Sequence, residues 1–190
     1  MRRTAVIGAL LLALSGVVAG TSGASARAET SAVRLPGLEQ GIFSKLNQLR
    51  RSRGLATLSV SRALDASAVM HSKAMAAGGF FAHSSADGTP FSDRIKRFYP
   101  PMPGGAWSVG ENLLYNTAAV DADAALASWL ASPPHREILL GVRWREVGVG
   151  AVRAPSSTGT FGEGPVWIIT MDFGARGSVP SRTLAKPRPK

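Results

Sequence analysis

The chain has no cysteine. That excludes disulfide staples, thiol nucleophiles and cysteine-type zinc sites. Histidine is scarce, at three residues, and tyrosine scarcer, at two. Imidazole chemistry therefore has three starting points: His71, His83 and His135. Phosphate-cradling signatures are missing, both the Walker loop and a G-x-G-x-x-G ahead of a helix. No serine sits in a G-x-S-x-G elbow, and there is no HExxH. The apolar stretch at 5–14, small or apolar on to Gly20, is too short and too rich in small residues for a membrane span.

What is there begins with that stretch. Met-Arg-Arg followed by a short apolar run reads as a secretory signal. The Ala26-Arg27-Ala28 triplet predicts cleavage before Glu29, with Ala24-Ser25-Ala26 as the near alternative. Residues 1–28 are then the signal, and the remaining 162 residues make one domain's worth of chain. A domain of that size buries enough surface to fold without staples.

The net charge of +10 is misleading. Three basic residues leave with the signal, and five more lie in 176–190, where there is no acid. The body from 29 to 175 carries fourteen basic and twelve acidic residues, a net +2. Basicity in a tail argues against a nucleic-acid-binding fold, which should carry its basic stripe on the domain itself. The tail, Pro-, Ser- and Arg/Lys-rich, is expected to be disordered and to touch anionic wall polymers or lipid headgroups.

Residues 29–37 read as a linker, and the domain as 38–175. Leu38, Ile42, Leu46 and Leu49 recur at helical spacing, and the "RRSRG" run ends that helix with positive charge and a glycine. Ser59 or Ser61 is placed to cap a second helix that runs to about Ala77, with Leu64, Ala68, His71 and Met75 facing inward. A short helix is predicted at "PFSDRIKRFYP", and a turn or short helix at "PPHREILL". Between them lies a longer one at 121–132 that buries Ala125 and Trp129. "VGENLLYN" reads as a short strand. "EVGVGAV" and "PVWIITMDF" switch the period to two, with a loop at 155–164 between them. Helices first and an antiparallel pair last give an α+β layered domain.

On the residues alone, His71 reads as a core histidine with one satisfied nitrogen. His83 sits in a loop after two phenylalanines, and loops carry function more often than helices do. His135 follows Pro133-Pro134, just past a helix end. Glu111 lies among apolar neighbours on a strand, where a carboxylate needs a partner or its pKa rises. Two imidazoles and this carboxylate have zinc-like donor chemistry. The three are far apart in sequence, so a metal site, a structural network and a surface role all stay open.

Read in order, "LNQLRRSRGLATLSVSRALDASAVMHSKAMAAGGFFAHSS", "GENLLYN", "ASWLASPPHREILL", "EVGVGAV" and "VWIITMDFG" resemble the CAP superfamily. This is the SCP-domain family of cysteine-rich secretory, antigen 5 and pathogenesis-related proteins, here in its cysteine-free bacterial form. The resemblance implies a three-layer α-β-α sandwich around an antiparallel sheet. It also implies a cleft lined by two histidines and two acidic residues. By motif position His83 and His135 match the histidines, and Glu111 matches the first acid. Ser132 stands where the second acid is expected.

The resemblance thus implies a cleft of His83, Glu111, His135 and Ser132, with His83, His135 and Glu111 as candidate ligands for zinc or another divalent metal. The expected function is a secreted, monomeric, non-catalytic module that binds a lipid or cell-wall polymer, spans no membrane once mature and needs no cofactor. The alternative is a metal-dependent hydrolase with Glu111 as general base. A third reading makes the trio purely structural.

Overall fold

The computed structural model describes residues 32–177. In chain order the elements are β1 (Val33–Arg34), α1 (Pro36–Ser52), β2 (Ser59–Val60), α2 (Arg62–Gly78), α3 (Phe91–Phe98) and β3 (Ala106–Asn116). They continue with α4 (Ala122–Ala131), α5 (Pro133–Leu139), β4 (Glu146–Ser157) and β5 (Gly164–Gly177). The sheet runs β1-β4-β5-β3, antiparallel throughout, with β2 added parallel to β4. The expected signal, its cleavage site and most of the tail lie outside the described residues.

Strand periodicity builds the layers. Side chains alternate between faces along a strand. On β4 and β5 the odd residues Val147, Val149, Ala151, Ile169, Met171 and Phe173 pack with Ile42 and Leu46 of α1 and Trp129 of α4. The even residues Val152, Val166 and Ile168 pack with Met75 of α2. Helices therefore cover both faces of the sheet. Gly148 and Gly150 belong to the even set. A Cβ at either would run into the backbone of α2 at Leu64 or at Ala68 and Val69. Their glycines permit this close approach, and any larger residue would push α2 off the sheet.

Local signals explain most boundaries. Pro36 opens α1, and Asp121 caps α4 by accepting from Ala124 N at 2.8 Å. Gly79, at φ 63°, ends α2 in the left-handed conformation that glycine adopts freely. Ser61 takes the N-cap position of α2 without a side-chain cap bond. The inward stripe Leu64, Ala68, His71 and Met75 is buried as the periodicity predicts.

Two segments are more ordered than their composition suggests. Residues 29–37 are not simply a linker: Val33 and Arg34 pair with Arg153 and Val152 of β4, and Pro36 already belongs to α1. The tail does not begin at 176. β5 continues to Gly177, because Arg176 lies over the Tyr99 ring at 3.9 Å and donates to Pro100 O. The "RRSRG" run ends α1 as expected, with Arg50 and Arg51 in its last turn. Arg50 is fully buried and donates to the carbonyls of Ala56, Leu139 and Gly141, which fastens α1 to the end of α5.

Candidate functional site

Among the described residues β3 is the edge strand of the sheet, bonded only to β5. Glu111 and Asn112 are successive residues on it, so their side chains leave from opposite faces. Glu111 meets the side chain of His83, and Asn112 the backbone of His135.

On the α2 face, His83 Nδ1 donates to Glu111 Oε1 at 2.8 Å. The His83 side chain is 52% exposed, while Glu111 is fully buried. Arg94 of α3, also fully buried, donates through Nη2 to Glu111 Oε2 and through Nη1 to His83 O at 2.8 Å. One residue earlier, His71 Nε2 donates to Ala82 O at 2.9 Å. The loop bearing His83 is thus pinned from α2 and from α3. His71 does what the apolar stripe predicts: one nitrogen is bonded, Nδ1 has no partner, and burial lowers its pKa so the ring stays neutral.

Directly across the ladder from Glu111 sits Asp172 of β5. It is completely buried. Burial first, and the neighbouring Glu111 charge second, push its carboxyl well above the usual carboxylate range. Ser67 of α2 lies beside it, outside hydrogen-bond geometry. Two carboxyl groups therefore face one guanidinium. The arrangement balances when Asp172 keeps its proton and Arg94 compensates Glu111.

On the other face, α5 carries His135. Its backbone carbonyl accepts from Asn112 Nδ2 at 3.0 Å. His135 Nδ1 and Ser132 Oγ lie 2.8 Å apart. Burial, then the nearby His83, lower the His135 pKa. The structure thus ties His83 to Glu111 and His135 to Ser132, as two separate pairs.

Sequence reasoning missed Arg94, Asp172 and Ser67. Asp172 left a readable trace, an acid between Met171 and Phe173 in an otherwise apolar strand. Arg94 left none, because one arginine in "SDRIKRF" looks like the others. A cavity of about 200 Å³ lies elsewhere, against α1 and the outer edge of β4, lined in part by Arg34, Glu39, Phe43 and Asp65. Its carboxylates serve the backbone: Asp65 accepts from Val149 N and Glu39 from Ala151 N.

The model of the cysteine-rich secretory protein family, CAP, matches residues 43–173. The chain belongs to the CAP family. Among proteins similar to this CAP chain, the uncharacterized membrane protein YlbC of Bacillus subtilis is 32% identical over 115 residues. That match covers 60% of this chain and 32% of YlbC, so this chain spans about a third of that relative's length. A solved extracellular protein containing an SCP domain, from Bacillus anthracis, superposes with a TM-score of 0.58 at 27% identity. The superposition covers 75% of this chain and 41% of that one. An outer surface protein of Borrelia burgdorferi gives a TM-score of 0.62 over 77% of this chain and 99% of its own. At 18% identity it shows the shared fold alone. Among the described residues no helix is long and apolar enough to cross a membrane.

The CAP cleft fits a metal poorly in this arrangement. Both Glu111 oxygens are engaged, one by His83 and one by Arg94. Glu111 orients the ring of His83 in the manner of a supporting carboxylate rather than offering itself as a ligand. The hydrogen bonds leave Nε2 of each imidazole, two donors where catalytic zinc sites use three protein ligands.

Proposed function

We propose that this CAP domain is a secreted binding module that performs no chemistry of its own, and that a lipid or cell-wall component seats against the β3 edge between His83 and His135. The engagement of Glu111 carries this reading. A general base must reach its proton within hydrogen-bond distance and have an oxygen free to take it. Glu111 is buried, paired with a guanidinium and bonded to His83. What the edge offers instead is two imidazoles, one half-exposed, and the Ser132 hydroxyl. These are recognition groups for a polar headgroup or a sugar hydroxyl. The extracellular SCP-domain relative supports placing this work outside the cell.

The test is binding of the mature protein to cell-envelope lipid and wall fractions beside the His83→Ala, His135→Ala double variant. At least a tenfold loss in the variant, with its unfolding midpoint near the parent's, is the expected result. Turnover of peptide or wall material by the parent, abolished in Glu111→Gln with the fold intact, would replace this reading by the hydrolase.

A further inference from the structure

The body of the protein is nearly neutral, yet its positive charge is not evenly spread. Two segments meet at the end where α1 and α5 finish. Arg50 binds them together through the carbonyls of Ala56, Leu139 and Gly141, and Ser59 N donates to Arg145 O at 2.9 Å. From residue 40 to 64, and again from 138 to 145, the sequence contains no acid. Arg51, Arg53, Arg143 and Arg145 are all exposed there. None of them pairs with an acidic side chain among the described residues. Glu146, the next acid along, is already bonded to the Tyr99 hydroxyl.

Next to Arg143, and one residue past the Gly141 carbonyl that Arg50 holds, stands Val142. It is 72% exposed, the most exposed large apolar residue among those described. The turn that presents it is firm: Arg145 Nη1 donates to the carbonyls of both Val142 and Trp144, and Arg143 lies over the buried Trp144 ring at 4.3 Å. A firm apolar tip on an end whose guanidiniums have no acidic partner among the described residues has the complement of an anionic bilayer. The charges meet lipid phosphates, and the tip enters the headgroup–acyl boundary. A soluble polyanion would use the arginines and gain nothing from Val142.

We propose that this face docks the protein on an anionic lipid surface. The inference rests on the reading that the protein works at the cell envelope, but it uses none of the cleft residues. It also places part of the surface attraction on the folded domain, apart from the basic tail.

The test is sedimentation of the full mature chain with phosphatidylglycerol/phosphatidylcholine vesicles. Two variants are compared with the parent: Arg51→Gln, Arg53→Gln, and Val142→Ser. The arginine pair is expected to weaken binding roughly twenty-five-fold, about fivefold per arginine, and Val142→Ser about fivefold. The parent should bind pure phosphatidylcholine far less. Its affinity should hold from pH 5 to 8, because arginine stays charged throughout. Unchanged binding by the arginine variant would assign the attraction to the tail and overturn the proposal. Normal binding by Val142→Ser, together with equal binding to a soluble glycerol phosphate polymer, would also overturn it. The His83→Ala, His135→Ala variant separates the two readings. Adding Arg51→Gln, Arg53→Gln to it should cost the same further factor as in the parent, and a loss carried by the histidine pair with none from the arginine pair would credit the cleft instead.

Discussion

The two histidines flank the same edge strand but are held by different physics. His83 is braced by a buried ionic group: Glu111, Arg94 and, behind them, Asp172. His135 is braced by a single hydroxyl and by the bond from Asn112 to its carbonyl. A buried charge fixes geometry strongly, because the cost of breaking it is the cost of leaving an ion unpaired in a low dielectric. A neutral contact near solvent fixes little, because water can replace it. The His83 half should therefore be rigid and coupled to folding, and the His135 half adjustable.

Arg94→Ala is the harshest way to break this comparison. It strands Glu111 beside Asp172 with no cation, and a loss of about 3–5 kcal/mol of stability is expected in urea unfolding at neutral pH. A loss below about 1 kcal/mol would mean that the ionic group does not organise its half.

Asp172→Asn sharpens the point through pH. The Asp172 carboxyl is raised in the folded state, so the fold binds a proton that the unfolded chain gives up near the ordinary value of about 3.9. Its favourable contribution is complete below that pH and is lost as pH rises through the folded value. The parent should thus lose stability from this group on going from pH 4 toward neutrality. The asparagine variant should lack that component and be the more stable of the two at pH 7. Parallel stability–pH curves for the two proteins would show that Asp172 ionises normally.

Ser132→Ala removes only one near-surface hydrogen bond. The expected cost is about 0.5–1.5 kcal/mol at most, with a rise in B-factor or NMR disorder of the His135 ring. A cost as large as that of Arg94→Ala would erase the contrast between the halves. The smallest expected effect is that of zinc. Calorimetry at neutral pH should show no micromolar binding, since Glu111 is engaged and two imidazoles remain. Micromolar binding lost in the His83→Ala, His135→Ala variant would show that the halves close on an ion together.

Much of the architecture could be read directly. The 3.6-residue pattern placed Leu64, Ala68, His71 and Met75 on one buried stripe, and the switch to period two located β4 and β5. Gly148 and Gly150 lie where the backbone of α2 comes close to the sheet, an approach no local pattern announces. The resemblance implied the three layers, and the sheet covered by helices on both faces agrees with it. Arg50 escaped notice, because an arginine in "RRSRG" carries no local sign that three carbonyls from distant segments will enclose it.

The sequence by itself determined which residues are apolar at which period, where the turns fall, and that only three imidazoles are available. Those properties are local, set by side-chain chemistry and backbone spacing. Tertiary structure alone decided that Glu111 would face Asp172 across a ladder, that Arg94 would be the cation between them, and that His83 and His135 would approach one strand from opposite sides. Each depends on strand register and on helices brought together across long stretches of chain. Burial then sets the charge states, because a carboxylate's pKa follows its surroundings, and these exist only once the sheet has formed.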